Sequence, residues 1–575
     1  MEGSRLLMHA DAQFPTPRTR HGAVRRLLAC IGFLWVTVVS GQSPGPAFSA
    51  ITNTPRADLH LADFRRLVLE RNETLQMQLL DSEVSQRLAR AEKGIFDPVA
   101  VGGVDYIDNQ RPNTRLDAAQ LGLFASPVFL EQNTLYNAGI ENLLGTGTKV
   151  RTGYVLRQLN NNIGAPQNDR DLLVGNQYST FLGVNLTQPL LKNFGPTATL
   201  AKIRIAAMAS QIAFQQYRRQ TLLVLATAEA AYWDLYLAQE QVRLGTKSVA
   251  LAERILADKQ ERFAVGKVPQ LEVLEAKAGL AFRSSRLDQS TQGAFDFASR
   301  LSGLYSQALD PSQPLPKAVD TPDLIEDPRS ILDNYTDAFR KNPDYLISQQ
   351  RVEQEGLRVA YTRNQRLPQL DLKGSFGLNG LAGGPGDSLT QSATGEYPAW
   401  SVGLELRMPL GNTKERNDLA AARLSKIRAI TGLKESETQV YNGIQGALRK
   451  IQLHRAGLTN ASSVIEYQRN LLDAEMERLD VGGVDARTIL ETEERLFQAE
   501  VALVENRVME RKAWVELEVV RGTLLESRGA EVTATEVRQR TETQVLKGLP
   551  PNQSTDPKLR EKTLETLLKT ATPTP

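Results

Sequence analysis

The feature that most constrains this chain is a long segment that occurs in it twice. Residues 255–275 read ILADKQERFAVGKVPQLEVLE, and residues 471–491 read LLDAEMERLDVGGVDARTILE. The second copy lies 216 positions after the first, and a Val-Gly pair stands near the centre of both. A duplicated unit predicts that both copies adopt the same structure, so evidence for one copy applies to the other.

Further matches lie upstream, in the same order in each half. They are Arg71-Asn72 with Lys341-Asn342, Pro98 with Pro368, and GVNLTQPL (residues 183–190) with GLELRMPL (residues 403–410). Between the matched prolines, the first half has 91 positions (Pro98 to Pro189) and the second has 41 (Pro368 to Pro409). One unit is therefore used twice, and the first half carries a longer stretch in this region.

Seven-residue apolar periodicity predicts long helices in both halves. The positions are Ala228, Leu235, Val242, Val249, Leu256 and Phe263, with partners Ile444, Ile451, Leu458, Ile465, Leu472 and Leu479. A repeat of this length favours a coiled-coil seam over an ordinary helical bundle. Residues 413–476 contain no Pro, which predicts a helix about 95 Å long at a rise of 1.5 Å per residue. Such a helix needs other long helices to pack against.

Alternating apolar and polar residues predict strands before each long helix. The apolar positions are Leu182, Val184 and Leu186 in the first half, and Leu370, Leu372, Phe376, Leu378, Val402, Leu404, Leu406 and Met408 in the second. A weaker run follows Pro98, and residues 149–157 form a further candidate segment. One apolar and one polar face fit either a soluble sandwich or a barrel with a wet lumen and an apolar exterior.

The first fifty residues have the pattern of an export signal. Arg18, Arg20, Arg25 and Arg26 precede a mostly apolar run over residues 27–39, and small residues and Pro follow. This order predicts a secretory signal peptide, with cleavage after Gly41 or Ala50. An N-terminal anchor helix is the alternative, but thirteen residues are few for a membrane span. Cys30 lies too early in the run for a lipid-modified cysteine.

The composition after such cleavage excludes several classes of protein. His60 and His454 remain and no Cys does, whereas zinc, haem and Cys-His nucleophile sites need several such residues together. The formal net charge of +2 argues against nucleic-acid binding, which usually relies on a basic excess. We therefore expect no metal, no cofactor and no nucleic-acid partner.

An exported chain with two copies of a strand hairpin and a long helical hairpin resembles the outer-membrane efflux protein family, also called TolC-like. The motifs are GVNLTQPLL (183–191), GLELRMPL (403–410), RFAVG (262–266) and RLDVG (478–482), and the resemblance covers roughly residues 58–525. It implies an α+β membrane protein. Three protomers would each give four strands to a twelve-stranded β-barrel, and their helices would form a periplasmic tube.

The resemblance and the repeats together predict the domain layout. We expect a signal peptide and leader (1–50), a first structural repeat (51–310), a linker (311–340), a second structural repeat (341–525) and a polar, partly disordered tail (526–575). In the first repeat, strands are expected over about 98–190 and a helical hairpin over about 197–305. In the second, the corresponding ranges are about 368–410 and 413–525.

The resemblance implies a passive exit duct in the outer membrane, with helices projecting into the periplasm. Its partners would be two further copies of the chain, outer-membrane lipid, a periplasmic membrane-fusion adaptor protein and an inner-membrane pump of the RND, ABC or similar type. The system would serve efflux or type I secretion. The alternative is a periplasmic coiled-coil scaffold without channel activity. An enzyme is not expected, because nothing in the sequence gathers catalytic residues.

The resemblance also implies two sets of site residues at the helical turns. The adaptor would contact the tip turns, at Arg262, Val265, Gly266, Lys267, Arg478, Val481, Gly482 and Gly483. Family members narrow the tube with acidic residues just past the second turn, where this chain has Thr488 and Glu491. The remaining gate candidates are Glu272 and Glu275. In some members an acid at the position of Glu272 bonds an Arg where this chain has Val484. A solvated helix face is the alternative for these carboxylates.

Overall fold

The computed structural model describes residues 58–114, 128–163, 172–307, 314–327, 329–480, 485–533, 536–537 and 539–542. The predicted signal peptide and most of the polar tail lie outside these residues. Among the described residues, none of the helices combines the length and the apolar character needed to cross a membrane.

Helices make up most of the described chain. In chain order they are α1 (Leu61–Arg71), α2 (Glu73–Ala91), α3 (Pro196–Thr199), α4 (Ala201–Ala264), α5 (Gln270–Gly303), α6 (Ile331–Lys341), α7 (Pro343–Gln365), α8 (Pro385–Thr394), α9 (Thr413–Asp480), α10 (Ala486–Arg521) and α11 (Leu524–Ser527). The long helices α4 and α5 form one antiparallel hairpin, and α9 and α10 form the second. The continuous helix predicted from residue 413 is present and extends to Asp480.

The strands are β1 (Asp58–Leu59), β2 (Val99–Pro112), β3 (Val128–Leu143), β4 (Lys149–Asn161), β5 (Val174–Pro189), β6 (Lys317–Ala318), β7 (Gln369–Ala382) and β8 (Pro398–Arg407). Strands β1 and β6 pair in parallel. The other six form one antiparallel sheet in the order β2-β3-β4-β5-β7-β8. Six strands are two more than the four that the family resemblance implies. The longer stretch in the first half supplies the extra hairpin, β3–β4.

The predicted heptad seam is confirmed in the second hairpin. Its seam residues Ile444, Ile451, Leu458, Ile465 and Leu472 are all buried. Trp514 and Leu517 of α10 pack against the first two of them. The last predicted position, at residue 479, lies outside the residues whose side chains are described.

The same prediction is wrong for the far half of α4. Ala228 and Leu235 are buried, but Phe263 at the end of the predicted seam is exposed. The buried positions of the far half are Leu244, Gly245, Ser248, Ala252, Ile255 and Lys259. Most of them recur every seven residues, but at positions offset from the predicted seam. Helix α4 therefore buries different faces near its two ends.

An asparagine between two short helices has the same role in both halves. Asn72 caps α2 by accepting from Leu75 N–H, and its amide donates to Leu304 O at 2.9 Å. Asn342 caps α7 by accepting from Tyr345 N–H, and its amide donates to Val520 O at 2.8 Å. Each asparagine thus ties a short helix pair to the end of a returning long helix. This explains why Asn recurs at the matched position.

A second pair of asparagines lies where the chain passes from the last sheet strand of each half to the long helix that follows. Asn193 has φ 65° and Asn412 has φ 43°, a left-handed conformation that Asn tolerates better than most residues. Asn193 N–H donates to Asn364 Oδ1 at 2.7 Å. The Asn412 amide donates to Arg366 O at 2.9 Å. Both joints are therefore held against the end of α7.

A buried carboxylate connects the two halves near the middle of α4. Glu229 is fully buried and accepts from Arg65 of α1 at 3.2 Å and from Arg528, just after α11, at 2.8 Å. Arg528 also pairs with Glu518 of α10 at 2.8 Å. Burial alone would lower the pKa of the Arg528 guanidinium, but these carboxylates raise it above its ordinary value. The segment after the second hairpin is thus fixed to the first.

The asparagine joint gives a testable stability prediction. Asn342→Ala removes a helix cap and the hydrogen bond to Val520 O, and we expect a loss of about 1–2 kcal/mol of folding free energy. The measurement is thermal or denaturant unfolding followed by helical circular dichroism. Asn460→Ala, at an exposed position of α9, is the matched control. Equal melting of the two variants would contradict the assigned role.

Candidate functional site

The first tip turn closes α4 through backbone hydrogen bonds. Gly266 has φ 73°, which a glycine adopts without strain. Gly266 N–H donates to Phe263 O at 2.8 Å, and Lys267 N–H donates to Arg262 O at 2.8 Å. This pair of bonds is the Schellman pattern, which satisfies carbonyl groups at a helix end. The turn therefore has a fixed shape.

The side chains at this turn are largely exposed. Val265 is 64% exposed, and Lys267 is exposed beside it. Arg262 is half-buried and pairs with Asp258 one turn earlier at 3.0 Å. Val265 therefore leaves an apolar side chain exposed in a turn of fixed shape.

The second predicted tip lies only partly within the described residues. Arg478 lies exposed near the end of α9. Val481, Gly482 and Gly483 lie outside the described residues, and so does the Val484 position of the predicted lock. The match between the two tip turns therefore rests on their sequences alone.

The predicted gate carboxylates have different environments. Glu272 accepts from the buried Lys259 ammonium at 2.7 Å, within the first hairpin. Glu491 accepts from Arg487, one turn earlier on α10, at 2.9 Å, and both side chains are exposed. The positive charge of Arg487 thus offsets the carboxylate that the sequence suggested as a gate.

The other two gate candidates lie close to this pair. Glu275 of α5 is half-buried, and Thr488 of α10 is exposed. The hydrogen bond that Arg487 donates to Glu491 is the largest cause that raises the pKa of Arg487, and the nearby charge of Glu275 raises it further. The structure therefore brings Glu275 and Glu491 to one groove, while Glu272 is held away by its lysine.

That groove runs between α5 and α10 and has a volume of about 590 Å³. Its lining includes residues from both hairpins, namely Glu275, Gly279, Phe282, Arg283, Arg487, Leu490, Glu491, Glu494, Arg495 and Gln498. The lining includes both acidic and basic side chains, so the groove does not present a uniform acidic surface.

The sequence analysis missed the ion pair that ties the hairpins together. Arg283 of α5 donates to Glu493 of α10 through Nη2 at 2.6 Å and through Nε at 2.9 Å. It also donates to Leu490 O at 2.7 Å. Both charged side chains are buried. No sequence signal identifies the pair, because the partners are 210 positions apart and do not match in the duplication.

A second ion pair between the two hairpins lies one helical turn away. Arg286 donates to Glu494 at 2.7 Å, and its guanidinium lies 4.8 Å from the ring centres of both Phe282 and Phe497. Burial alone would raise the pKa of Glu494, but hydrogen bonds from Arg286 and Gln498 outweigh it, so this pKa lies below its ordinary value. The ionised carboxylate is thus favoured, and it links α5 to α10.

Comparisons with known proteins agree with this architecture. A family model described as outer membrane efflux protein matches residues 159–290 and 334–523, more than half of the chain. The first matched segment begins near the end of β4, so β3 and most of β4 precede it.

Curated relatives are distant. The pyoverdine export outer membrane protein OpmQ of Pseudomonas aeruginosa is 23% identical over 315 residues, which cover 52% of this chain and 62% of that protein. The chain thus spans less than two thirds of that relative. The toluene efflux pump outer membrane protein TtgC of Pseudomonas putida is 21% identical over 358 residues, covering 60% of this chain and 69% of that protein.

Solved structures share the fold. The CmeC outer membrane channel of Campylobacter jejuni superposes with a TM-score of 0.58 at 17% identity, covering 84% of this chain and 89% of that one. The open-state MtrE outer membrane channel of Neisseria gonorrhoeae gives a TM-score of 0.57 at 15% identity, covering 82% and 91%. The predicted TolC-like fold class is confirmed.

The buried ion pair predicts a strong and asymmetric mutational effect. Arg283→Met leaves Glu493 buried without a partner, which typically lowers the free energy of unfolding by about 3–5 kcal/mol. We expect faster hydrogen exchange in α5 and α10, measured by mass spectrometry. Arg283→Met combined with Glu493→Met is expected to recover much of the loss. Arg495→Met, at an exposed groove position, is the control and should exchange like the unmodified protein.

The lowered pKa of Glu494 predicts acid sensitivity of the same contact. A carboxylate with a depressed folded-state pKa stabilises the fold above its unfolded pKa, and that stabilisation disappears as the pH falls through the folded value. We therefore expect the helical unfolding temperature to drop below about pH 4.5, the ordinary pKa of Glu494. Glu494→Gln should weaken this pH dependence, and an unchanged slope would contradict the assignment.

Proposed function

The chain belongs to the outer membrane efflux protein family, and from this premise we propose that it is the outer-membrane exit duct of a tripartite efflux or type I secretion system. It is a passive channel that is coupled through a periplasmic adaptor to an inner-membrane pump. The observation that carries the proposal is a sheet with one exposed apolar face and one polar face, joined to very long helical hairpins.

The apolar face has the character expected of a surface in contact with lipid. On the edge strand β8, Trp400, Val402, Leu404 and Leu406 alternate with polar or small residues and are 64–75% exposed. Phe376, their neighbour on β7, is 58% exposed. A protein in water rarely leaves so many large apolar side chains together on its surface. Burial in the membrane accounts for them.

The opposite face suits an aqueous lumen. Asp371 and Lys373 of β7 and Glu405 of β8 lie on it, and Glu405 pairs with Lys373. The strands have 10 to 16 residues, which meets the 9–11 or so needed to span a bilayer when tilted. We propose that three copies close their sheets into one barrel, since an open sheet would leave unpaired backbone groups in lipid.

The helical hairpins supply the reach of the duct. Helices α4 and α9 have 64 and 68 residues, which at 1.5 Å per residue gives about 95–100 Å. We propose that they extend across the periplasm, that their tips meet the adaptor, and that transport energy comes from the pump. The chain itself carries out no covalent chemistry in this proposal.

The periplasmic scaffold without channel activity remains the alternative. It requires some partner to cover the apolar face, whereas the channel places that face in lipid. The family membership and the two-faced sheet together favour the channel. The scaffold predicts a protein that fractionates as soluble and never conducts.

The groove carboxylate gives the first functional prediction. Purified protein in a planar bilayer is expected to show stable conductance steps that a trivalent cation blocks. Glu491→Ala should weaken the block because it removes the proposed acidic ring. Arg487→Ala should strengthen it, since Arg487 offsets the carboxylate of Glu491. Each shift is expected to be several-fold in blocking concentration.

The control is Asp288→Ala, at an exposed acidic position of α5 outside the groove. It should leave the block unchanged. If the protein conducts but neither groove variant changes the block by the trivalent cation, the channel proposal stands and the gate assignment is refuted. A soluble, non-conducting protein would refute the duct.

The first tip turn gives the second functional prediction. A photoreactive residue at Val265 is expected to cross-link the periplasmic adaptor in intact cells, with the adduct identified by mass spectrometry. Val265→Asp should reduce transport in cells without reducing trimer yield, because a carboxylate disfavours an apolar contact. Leu453, exposed at mid-length in α9, is the control site. Equal cross-linking at both positions would contradict the proposed tip contact.

A further inference from the structure

The hairpin β3–β4 is an insertion within the first structural repeat. In the second repeat, β7 and β8 are joined through α8 alone. In the first, β2 and β5 occupy the corresponding places and the inserted hairpin lies between them. Since β2 and β5 run in opposite directions, they would be compatible as direct neighbours. The insertion therefore adds to a sheet that could exist without it.

We propose that β3–β4 is an integral part of the membrane barrel, so that each copy contributes six strands and three copies form an eighteen-stranded ring. The inference rests on the proposed function, which supplies the membrane setting and the three copies. It departs from the twelve strands that the family resemblance implies.

The inserted hairpin has the same two faces as the rest of the sheet. Ile140 and Tyr136 of β3 lie on the apolar face and are 56% and 40% exposed, and Tyr154 and Leu156 of β4 continue it. On the other face, Glu141 pairs with Arg151 at 3.4 Å. A flap lying in water would not need an exposed apolar stripe that continues that of β5, β7 and β8. The pattern places both strands between lipid and lumen.

The strand register continues without a break from β2 through the inserted hairpin to β8. A line of paired residues crosses the sheet through Val99, Glu141, Arg151, Asn185, Ser375 and Ser401. Val99 begins β2 beside the helical part, but Ser401 lies six residues before the end of β8 at Arg407. The strand ends are thus staggered across the sheet, including the inserted pair.

This stagger gives the tilt of a barrel. Six residues at about 3.3 Å correspond to about 20 Å along the strands, and five strand spacings of about 4.8 Å correspond to about 24 Å across them. The strands are therefore inclined by about 40° to the barrel axis, within the 35–45° or so of closed barrels. A sheet with this shear is suited to closure rather than to remaining flat.

The base of the hairpin is fixed to the helical part. Thr146 O in its turn accepts from Gly195 N–H, at the start of α3, at 3.0 Å. Thr148 Oγ1 donates to Gln188 of β5. Gly147 has φ 88°, and a Cβ there would lie 2.4 Å from Asn193 O. The turn is thus packed on the joint between β5 and the first long helix, which holds the hairpin at the level of the other strands.

The two edges are complementary in direction. Strand β2 runs away from the helical part and β8 runs back towards it. An even number of strands therefore lets β8 of one copy pair antiparallel with β2 of the next. The six-stranded sheet does not close on itself, since β2 and β8 are not paired with each other in the described residues. Further copies of this chain are the occupants that these edges fit.

The consequence is a wider outer opening. Barrel diameter grows roughly in proportion to strand number, so eighteen strands give a ring about 1.5-fold as wide as twelve.

The test is a strand count by electron cryo-microscopy of the full-length protein in lipid nanodiscs. Six membrane strands per copy, with β3 and β4 between β2 and β5, support the inference. A ring of four strands per copy, with β3–β4 outside the wall, overturns it and leaves the proposed function intact. A protein that forms no membrane ring overturns both.

A deletion variant provides an independent readout. Replacing residues 114–172 by a short Gly-Ser turn joins the outer ends of β2 and β5 and should give a twelve-stranded ring. Polyethylene glycols of graded size, added on the side of the sheet, are expected to enter the full-length ring at an about 1.5-fold larger radius than in this variant. Equal size limits in two folded rings would overturn the inference. If the variant does not fold, the strand count of the full-length protein decides.

Discussion

The packing of long helices against each other underlies the rest of this structure. A helix of 64 or 68 residues has no stability of its own beyond weak local propensity, so its apolar side must be covered along its whole length. The hairpins α4–α5 and α9–α10 meet this need. Because they are long and stiff, they separate the sheet at one end of the molecule from the tip turns at the other.

The sheet is subject to a different constraint. Its backbone groups are paired internally except at β2 and β8, and its large apolar side chains lie exposed on one face. In a single copy, the outer backbone groups of β2 and β8 thus have no partner strand, and the apolar face of the sheet lacks an apolar environment. Both are supplied together if copies close into a ring in a membrane. The extra hairpin enlarges that ring without changing the constraint.

Between these ends, polar contacts fix how the hairpins lie relative to each other. The Arg283–Glu493 pair is buried and well hydrogen-bonded, so breaking one side is costly while replacing both sides is tolerated better. The Glu272–Lys259 pair acts within one hairpin, and Glu491 and Arg487 lie exposed on one helix. A movement of α5 relative to α10 at this level would thus have to break the Arg283–Glu493 contact.

The sequence by itself determined the duplication, the long helices and the two-faced strands, because these depend on local periodicity that each segment carries alone. It also matched Asn72 with Asn342, although only the structure showed that both residues cap a helix. Tertiary structure decided the rest. The buried face in the far half of α4 differs from the predicted seam because the neighbouring helices decide which positions are covered. Arg283 and Glu493 became a pair only when two distant hairpins met. The six-strand wall depends on pairing across the inserted hairpin, and pairing between distant strands is a property of the folded chain.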